Sequence, residues 1–95
     1  MAKGYWIGRG DISNPAAYKA YVEANGAAFS KDGARFLVRG GTCEIREGSR
    51  RARQVIIEFA DYATALACYD SPEYAHAKSL REGAAELDLV IVEGV

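Results

Sequence analysis

Residues 34–60, ARFLVRGGTCEIREGSRRARQVIIEFA, predict a β-hairpin in the middle of the chain. Two runs rich in Val, Ile, Leu and Phe (34–40 and 53–60) flank a segment of glycines and charges, as is typical of strands joined by a turn. We expect Gly40-Gly41 to break or bulge the first strand, and residues 43–46 to resume it before a turn at 47–49. The short polar connection favours antiparallel pairing, because parallel strands need a longer crossover.

Helical patterns lie on both sides of this hairpin. Before it, Asn14 and Pro15 predict a helix cap and first turn, and 32–33 predict the stop. The apolar stripe between them comprises Tyr18, Tyr21, Val22, Asn25, Ala28 and Phe29. After the hairpin, Asp61 and Ser71 are both cap candidates, which predicts two helical pieces, about 61–70 and about 72–84, with a kink between them.

Two further strands, 3–12 (KGYWIGRGDI) and 87–93 (LDLVIVE), complete the pattern. In the first, Gly8 and Gly10 share a face with Trp6, and such glycines often mark the close approach of another group. The order strand, helix, strand, strand, helix, strand is the split βαβ arrangement. We therefore expect residues 1–95 to form a single α+β domain of the ferredoxin-like βαββαβ type, a four-stranded antiparallel sheet with helices on one face.

Composition excludes several functional classes. The chain is 49% hydrophobic and 26% charged, which indicates a globular protein rather than a disordered one. Its net charge of −1 provides no broad basic surface for nucleic acid. The one basic cluster, Arg50, Arg51 and Arg53, is interpreted as a solvated hairpin tip. No apolar run is long enough for a signal peptide or a membrane span, so we expect no membrane partner and a cytoplasmic location.

Metal and cofactor motifs are absent from the sequence. Cys43 and Cys68 lie 25 positions apart without CxxC or a nearby histidine, so we expect free thiols and no metal site. His76 is the only histidine, which excludes a multi-histidine metal site within one chain. The Gly8-Arg9-Gly10 segment lacks the third glycine of a dinucleotide-binding loop. We expect no cofactor.

The strands are apolar on both faces. Val90 and Val92 oppose Leu89 and Ile91, whereas a sheet with one wet face should alternate between apolar and polar residues. Because helices can cover only one face, we expect a second copy to cover the other, giving a homodimer in the form of a dimeric α/β barrel. The alternative is that these strands lie in the well-buried core of a monomer.

Five segments carry a resemblance to a known family: YWIGRGDISNPAAYKAYV, GARFLVRGG, VIIEF, YDSPEYAHAKSLREGAA and DLVIVEG. Over about residues 4–94 the chain resembles the uncharacterised bacterial family called domain of unknown function 1330. That resemblance implies membership of the dimeric α/β-barrel superfamily but no established activity. The wider superfamily includes cofactor-free monooxygenases, lactone isomerases and haem-handling enzymes, which hold small, flat, apolar molecules. Cys68 replaces an aromatic residue common in the family, which would leave room for a wider pocket beside the second helix.

Two charged residues are candidates for chemistry within the sheet. Arg39, beside Gly40 and Gly41 with their backbone amides, could hold a carboxylate or enolate oxygen. The alternative is a β-bulge with an ion pair between Arg39 and Glu58. Glu58, in an otherwise apolar strand, could act as a base, or could pair with Arg39 or with Arg9.

The helices supply the remaining candidates. His76 could act as an acid–base group or a haem ligand, although an exposed or capping helix histidine is the simpler interpretation. The tyrosine set could wall a ligand pocket or could serve helix-on-sheet packing; its members are Tyr18, Tyr21, Tyr69 and Tyr74.

The function is unknown from sequence. The favoured hypothesis is binding, or cofactor-independent catalysis, of a small apolar or carboxylate-bearing molecule in an apolar cleft ringed by Arg39, Glu58 and the helix tyrosines. The alternative is a non-catalytic dimeric module that senses a ligand or mediates an interaction.

Overall fold

A computed structural model describes residues 2–49 and 51–95. The elements in chain order are β1 (Gly4–Ile12), α1 (Pro15–Lys31), β2 (Arg35–Arg39), β3 (Arg53–Phe59), α2 (Tyr62–Tyr69), α3 (Pro72–Ser79) and β4 (Ala85–Glu93). All four strands pair antiparallel in one sheet, in the order β2-β3-β1-β4. This is the ferredoxin-like α+β arrangement, and it confirms the predicted fold class.

The helices begin where the cap residues predict. The side chains of Asn14, Asp61 and Ser71 each accept a hydrogen bond from the backbone N–H three residues later. The last helix is shorter than expected, since α3 ends at Ser79 and not near residue 84. The amides of Leu80 and Arg81 bond three residues back, which tightens the last turn, and Gly83 then takes a left-handed conformation.

The predicted continuation of β2 over residues 43–46 is wrong. Gly40 adopts a φ of +64°, which turns the chain out of the strand, and its N–H donates the final bond to the Gln54 carbonyl. Residues 41–49 are exposed and form no strand. The irregularity in β2 lies earlier than predicted: the register with β3 shifts between Phe36 and Val38.

The core lies between the sheet and the helices and is centred on Trp6. The Trp6 ring lies 4.9 Å from that of Tyr74 and 5.2 Å from that of Phe29, both edge-on. Its indole N–H donates to the Ala65 carbonyl oxygen at 2.9 Å, which satisfies the one polar group of the side chain. Burial of Tyr18, Tyr21, Asn25, Ala28 and Phe29 confirms the predicted stripe of α1.

The sheet face opposite the helices is open in the single chain. The apolar side chains of Val90 and Val92 are 57% and 42% exposed there. The alternative that both faces of the strands are buried within a monomer is therefore wrong for this chain. No helix in the described part of the chain has the length and apolarity needed to cross a membrane.

Candidate functional site

A cleft opens between α1 and the helix-covered face of the sheet. Apolar side chains form most of its surface, among them Trp6, Val55 and Leu89 from the strands and Phe29 from α1. The cleft has a cavity volume of about 60 Å³. At about 10–15 Å³ for each enclosed water, this volume holds roughly four to six waters, which is about the space that one six-membered ring occupies. Gly8 and Gly10 lie in its floor, and a Cβ on Gly10 would collide with Leu87.

Arg39 reaches this cleft because of the register shift in β2. Without the shift, Arg39 would share the open face with Leu37; with it, Arg39 pairs with Val55 on the helix-covered face. Its guanidinium carbon stacks 3.6 Å above the Phe36 ring, which leaves the N–H edge of the group for another partner. The structure thus places the predicted Arg39 at a cleft.

Arg53 is a second arginine of the cleft. It lies two residues before Val55, on the same face of β3, and its guanidinium packs against the Gly40 backbone. That guanidinium lies 5.7 Å from the Tyr18 ring centroid, and its Nε is buried without a hydrogen-bond partner in the described residues. Neither Arg39 nor Arg53 forms an ion pair within the part of the chain that the structure describes.

Two residues of the basic cluster, Arg51 and Arg53, are not part of a solvated tip. Arg50 lies outside the described residues, and Arg53 belongs to the cleft. Arg51 contacts the carboxylates of Asp11, Glu86 and Asp88 at 2.9–3.2 Å. Asp88, the one acidic residue among the described residues that line the cleft, is therefore already engaged by a cation.

The predicted role of the glycine amides is wrong for Gly40. Its N–H donates to the Gln54 carbonyl oxygen at 2.8 Å and is not free for a ligand. Gly40 instead provides space, because a Cβ at this position would collide with the Arg53 guanidinium. Gly41 is exposed, with open space where its Cβ would be.

Glu58 does not belong to the cleft, which corrects the predicted ring of residues. It lies on the open face of the sheet, so the alternative ion pair with Arg39 is also wrong. Its carboxylate contacts the Lys3 ammonium at 3.7 Å and accepts from the Tyr5 hydroxyl at 3.5 Å. Arg9 pairs with Gln54, four residues along β3, so it is not the partner of Glu58.

Three of the four predicted tyrosines line the cleft: Tyr18, Tyr21 and Tyr74. The fourth, Tyr69, is not among the described residues that line it. The hydroxyls of Tyr21 and Tyr74 are buried and hydrogen-bonded to each other at 2.8 Å. Burial, followed by the Tyr74 hydroxyl, raises the pKa of Tyr21 far above its ordinary value. Burial is also the largest cause of the raised pKa of Tyr18. The hydroxyls of Tyr18 and Tyr21 therefore stay neutral near pH 7 and can donate hydrogen bonds.

His76 and Cys68 lie away from the cleft. His76 is exposed on α3. Cys68 is fully buried, and neither residue is in the described lining, so the wider pocket expected from Cys68 is not found. The described residues hold no cluster of three or more His, Cys, Asp or Glu side chains suited to a metal ion.

Sequence reasoning missed Arg9, Asn25 and Arg53 as cleft residues, and Arg81 beside the Tyr21 ring. The alternation of Arg53, Val55 and Ile57 along β3 was a sufficient signal, because residues two apart on a strand share a face. Arg81, whose guanidinium lies 5.2 Å from the Tyr21 ring centroid, follows the last helix and had no such signal.

Comparison with known proteins identifies one family. The family described as Domain of unknown function (DUF1330) matches residues 3–95. None of the curated proteins matches the chain.

Similar solved structures share the fold at low identity. A protein of unknown function from Rhodopseudomonas palustris is 17% identical, with a TM-score of 0.78 over 99% of this chain and 83% of its own. SnoaB, a cofactor-independent oxygenase from Streptomyces nogalater, is 10% identical, with a TM-score of 0.62 over 97% and 92%. A dimeric protein of unknown function and ferredoxin-like fold from Bacteroides fragilis is 15% identical, with a TM-score of 0.58 over 97% and 94%.

Proposed function

Because the chain belongs to the family Domain of unknown function (DUF1330), which specifies no activity, we propose its function from the cleft itself: it binds a small, flat, anionic molecule there. One observation carries the proposal. Three arginines line a mostly apolar cleft, and two of them, Arg39 and Arg53, lie on the helix-covered face of the sheet without an ion-pair partner among the described residues.

Anion binding is what this arrangement favours physically. A guanidinium presents several N–H donors in a plane that matches a carboxylate, and such charge-assisted bonds are about twice as strong as neutral ones. The buried Nε of Arg53 has lost water without gaining a partner, and a ligand oxygen would repay that loss. The apolar floor suits the ring or chain that carries the anionic group.

Binding of benzoate, followed by NMR chemical shifts, tests this proposal. We expect cleft residues to shift and the affinity to fall at least ten-fold in Arg53→Met and in Arg39→Met, because a hydrogen bond to a charged group contributes roughly 1.5–3 kcal/mol. Arg46→Met is the control, since Arg46 is exposed and contacts Glu44 in the loop. Equal benzoate affinity in all four proteins would exclude Arg39 and Arg53 as the binding groups.

Cofactor-independent catalysis in the same cleft is the second candidate. The buried Tyr21–Tyr74 hydroxyl pair could exchange a proton with a bound molecule, and SnoaB shows that a chain of this fold can be an oxygenase without a cofactor. Under this proposal Glu58 and His76 take no part, because both lie outside the cleft. The alternative of a ligand-sensing module requires the same binding without turnover, so recovery of the ligand unchanged from the protein would favour it.

We also propose a homodimer joined through the open sheet face, in a bacterial cytoplasm. The exposed valines of β4 support the dimer, as does the dimeric neighbour from Bacteroides fragilis. The free thiols of Cys43 and Cys68 are consistent with a reducing compartment. Native mass spectrometry measures the subunit number and any retained ligand together, and a monomer at micromolar concentration would contradict the dimer.

A further inference from the structure

The hydrogen bond between the Tyr21 and Tyr74 hydroxyls leaves one of their two protons without an acceptor. Each hydroxyl has one proton, and the single hydrogen bond between them uses one of the two. No other hydrogen bond joins either hydroxyl to a residue that the structure describes, and the nearby Arg81 guanidinium, 5.2 Å from the Tyr21 ring centroid, can only donate. One tyrosine O–H therefore lacks an acceptor among the described residues.

That uncommitted proton borders the cleft. Tyr21, Tyr74 and Asn25 all line it, whereas the Arg39 and Arg53 guanidiniums come from β2 and β3 on the sheet side. A buried donor without an acceptor is destabilising, so a ligand oxygen at this position would be bound favourably.

From this count we infer that the Tyr21–Tyr74 pair is a second recognition point, which donates a hydrogen bond to a neutral acceptor oxygen of the ligand. The inference rests on the proposed anion binding and sharpens it. The ligand is a one-ring molecule that carries an anionic group for Arg39 and Arg53 and, away from it, a carbonyl-type oxygen for the tyrosines. A ligand with only an apolar group there would leave the O–H unsatisfied.

Three probes separate the two recognition points. Acetylbenzoate has both groups, isopropylbenzoate has the anion with an apolar group of similar shape, and methylacetophenone has the carbonyl without the anion. Each is titrated as its 3- and 4-isomers into the wild-type protein and the double variant Tyr21→Phe/Tyr74→Phe, and affinities are measured by NMR. Tyr69→Phe is the matched control, because it removes a tyrosine hydroxyl outside the described cleft lining.

We expect one isomer of acetylbenzoate to bind about five-fold more tightly than isopropylbenzoate, as one neutral hydrogen bond allows. The preference should persist in Tyr69→Phe and disappear in the double variant. Nuclear Overhauser contacts from the acetyl methyl group to the rings of Tyr21 and Tyr74 in the wild-type protein would support the same position, even if the double variant unfolds.

Three other outcomes would contradict the hydroxyl inference, the anion-binding proposal or both, and the titrations distinguish them. Equal binding of the two benzoates to the wild-type protein overturns the hydroxyl inference and leaves anion binding in place. Methylacetophenone binding as tightly as acetylbenzoate overturns anion binding but not the hydroxyl inference. If none of the probes shifts the cleft resonances at millimolar concentration, both are wrong.

Discussion

At the scale of single residues, the site depends on contacts that side-chain chemistry alone does not reveal. Gly40 is the clearest case. The absence of a Cβ allows the Arg53 guanidinium to lie against the backbone beside the cleft, and a φ of +64° would disfavour other residues there in any case. Gly40 therefore meets two requirements: its backbone adopts a left-handed conformation, and its missing Cβ leaves space for Arg53.

Gly40→Ala separates these requirements when it is compared with Gly33→Ala. Gly33 has nearly the same φ, +65°, but a Cβ there would meet open space. Both variants should lose roughly 1–2 kcal/mol of unfolding free energy from the left-handed conformation. Only Gly40→Ala should also weaken benzoate binding, by about five-fold or more, because it displaces Arg53. Chemical denaturation and NMR titration measure the two effects, and equal benzoate affinities in the two variants would refute this role of Gly40.

At the scale of elements, local chemistry sets where each helix begins. Asp61 caps α2 with a 2.7 Å hydrogen bond from the Thr64 amide, and its bonds to Thr64 lower its pKa from the ordinary value. A folded-state pKa below the unfolded one means that the charged cap stabilises the protein above about pH 4. That contribution is lost as the pH falls through the lowered value.

Asp61→Asn should therefore flatten the acid side of the stability profile. Asparagine still caps the helix but does not titrate, so the loss of unfolding free energy between pH 5 and pH 2 should be smaller in the variant. Thermal unfolding at a series of pH values measures it. Glu44→Gln removes a carboxylate from the exposed loop and controls for net charge. Superimposable profiles for Asp61→Asn and the wild-type protein would contradict the role assigned to the cap.

At the scale of the whole molecule, the two faces of the sheet have different surroundings. One packs on the helices and carries the cleft, while the other exposes Val90, Val92 and part of the Lys3–Tyr5–Glu58 cluster. Exposed apolar surface of this kind is typical of an interface. The cleft does not open on that face, so a sheet-to-sheet dimer would leave the ligand site accessible.

Val90→Asp should convert the proposed dimer to a monomer, because a carboxylate would be buried without a partner in each copy. Leu66→Asp is the matched control, since Leu66 is exposed on α2, away from the open face. Analytical ultracentrifugation should show a monomer for the first variant and a dimer for the second. Benzoate binding should survive in the monomer, and a dimer in both variants would place the interface elsewhere.

The sequence by itself determined the elements of this protein. Strand alternation, the apolar stripe of α1 and the caps Asn14, Asp61 and Ser71 are local properties, because each depends on neighbours a few positions away. From these came the order of elements, the fold class and the expectation that the sheet has an apolar second face. The family resemblance over residues 4–94 agrees with the family match to residues 3–95.

Only the tertiary structure decided which side chains meet. A shift of one residue in β2 reverses the faces beyond it, so it moved Arg39 into the cleft and away from Glu58. Arg53 joined Arg39 through strand pairing, and Tyr21 met Tyr74 across 53 positions through the packing of α1 on α3. Register and packing depend on contacts distant in the chain, and for that physical reason the cleft and its two proposed recognition points could not be derived from local pattern.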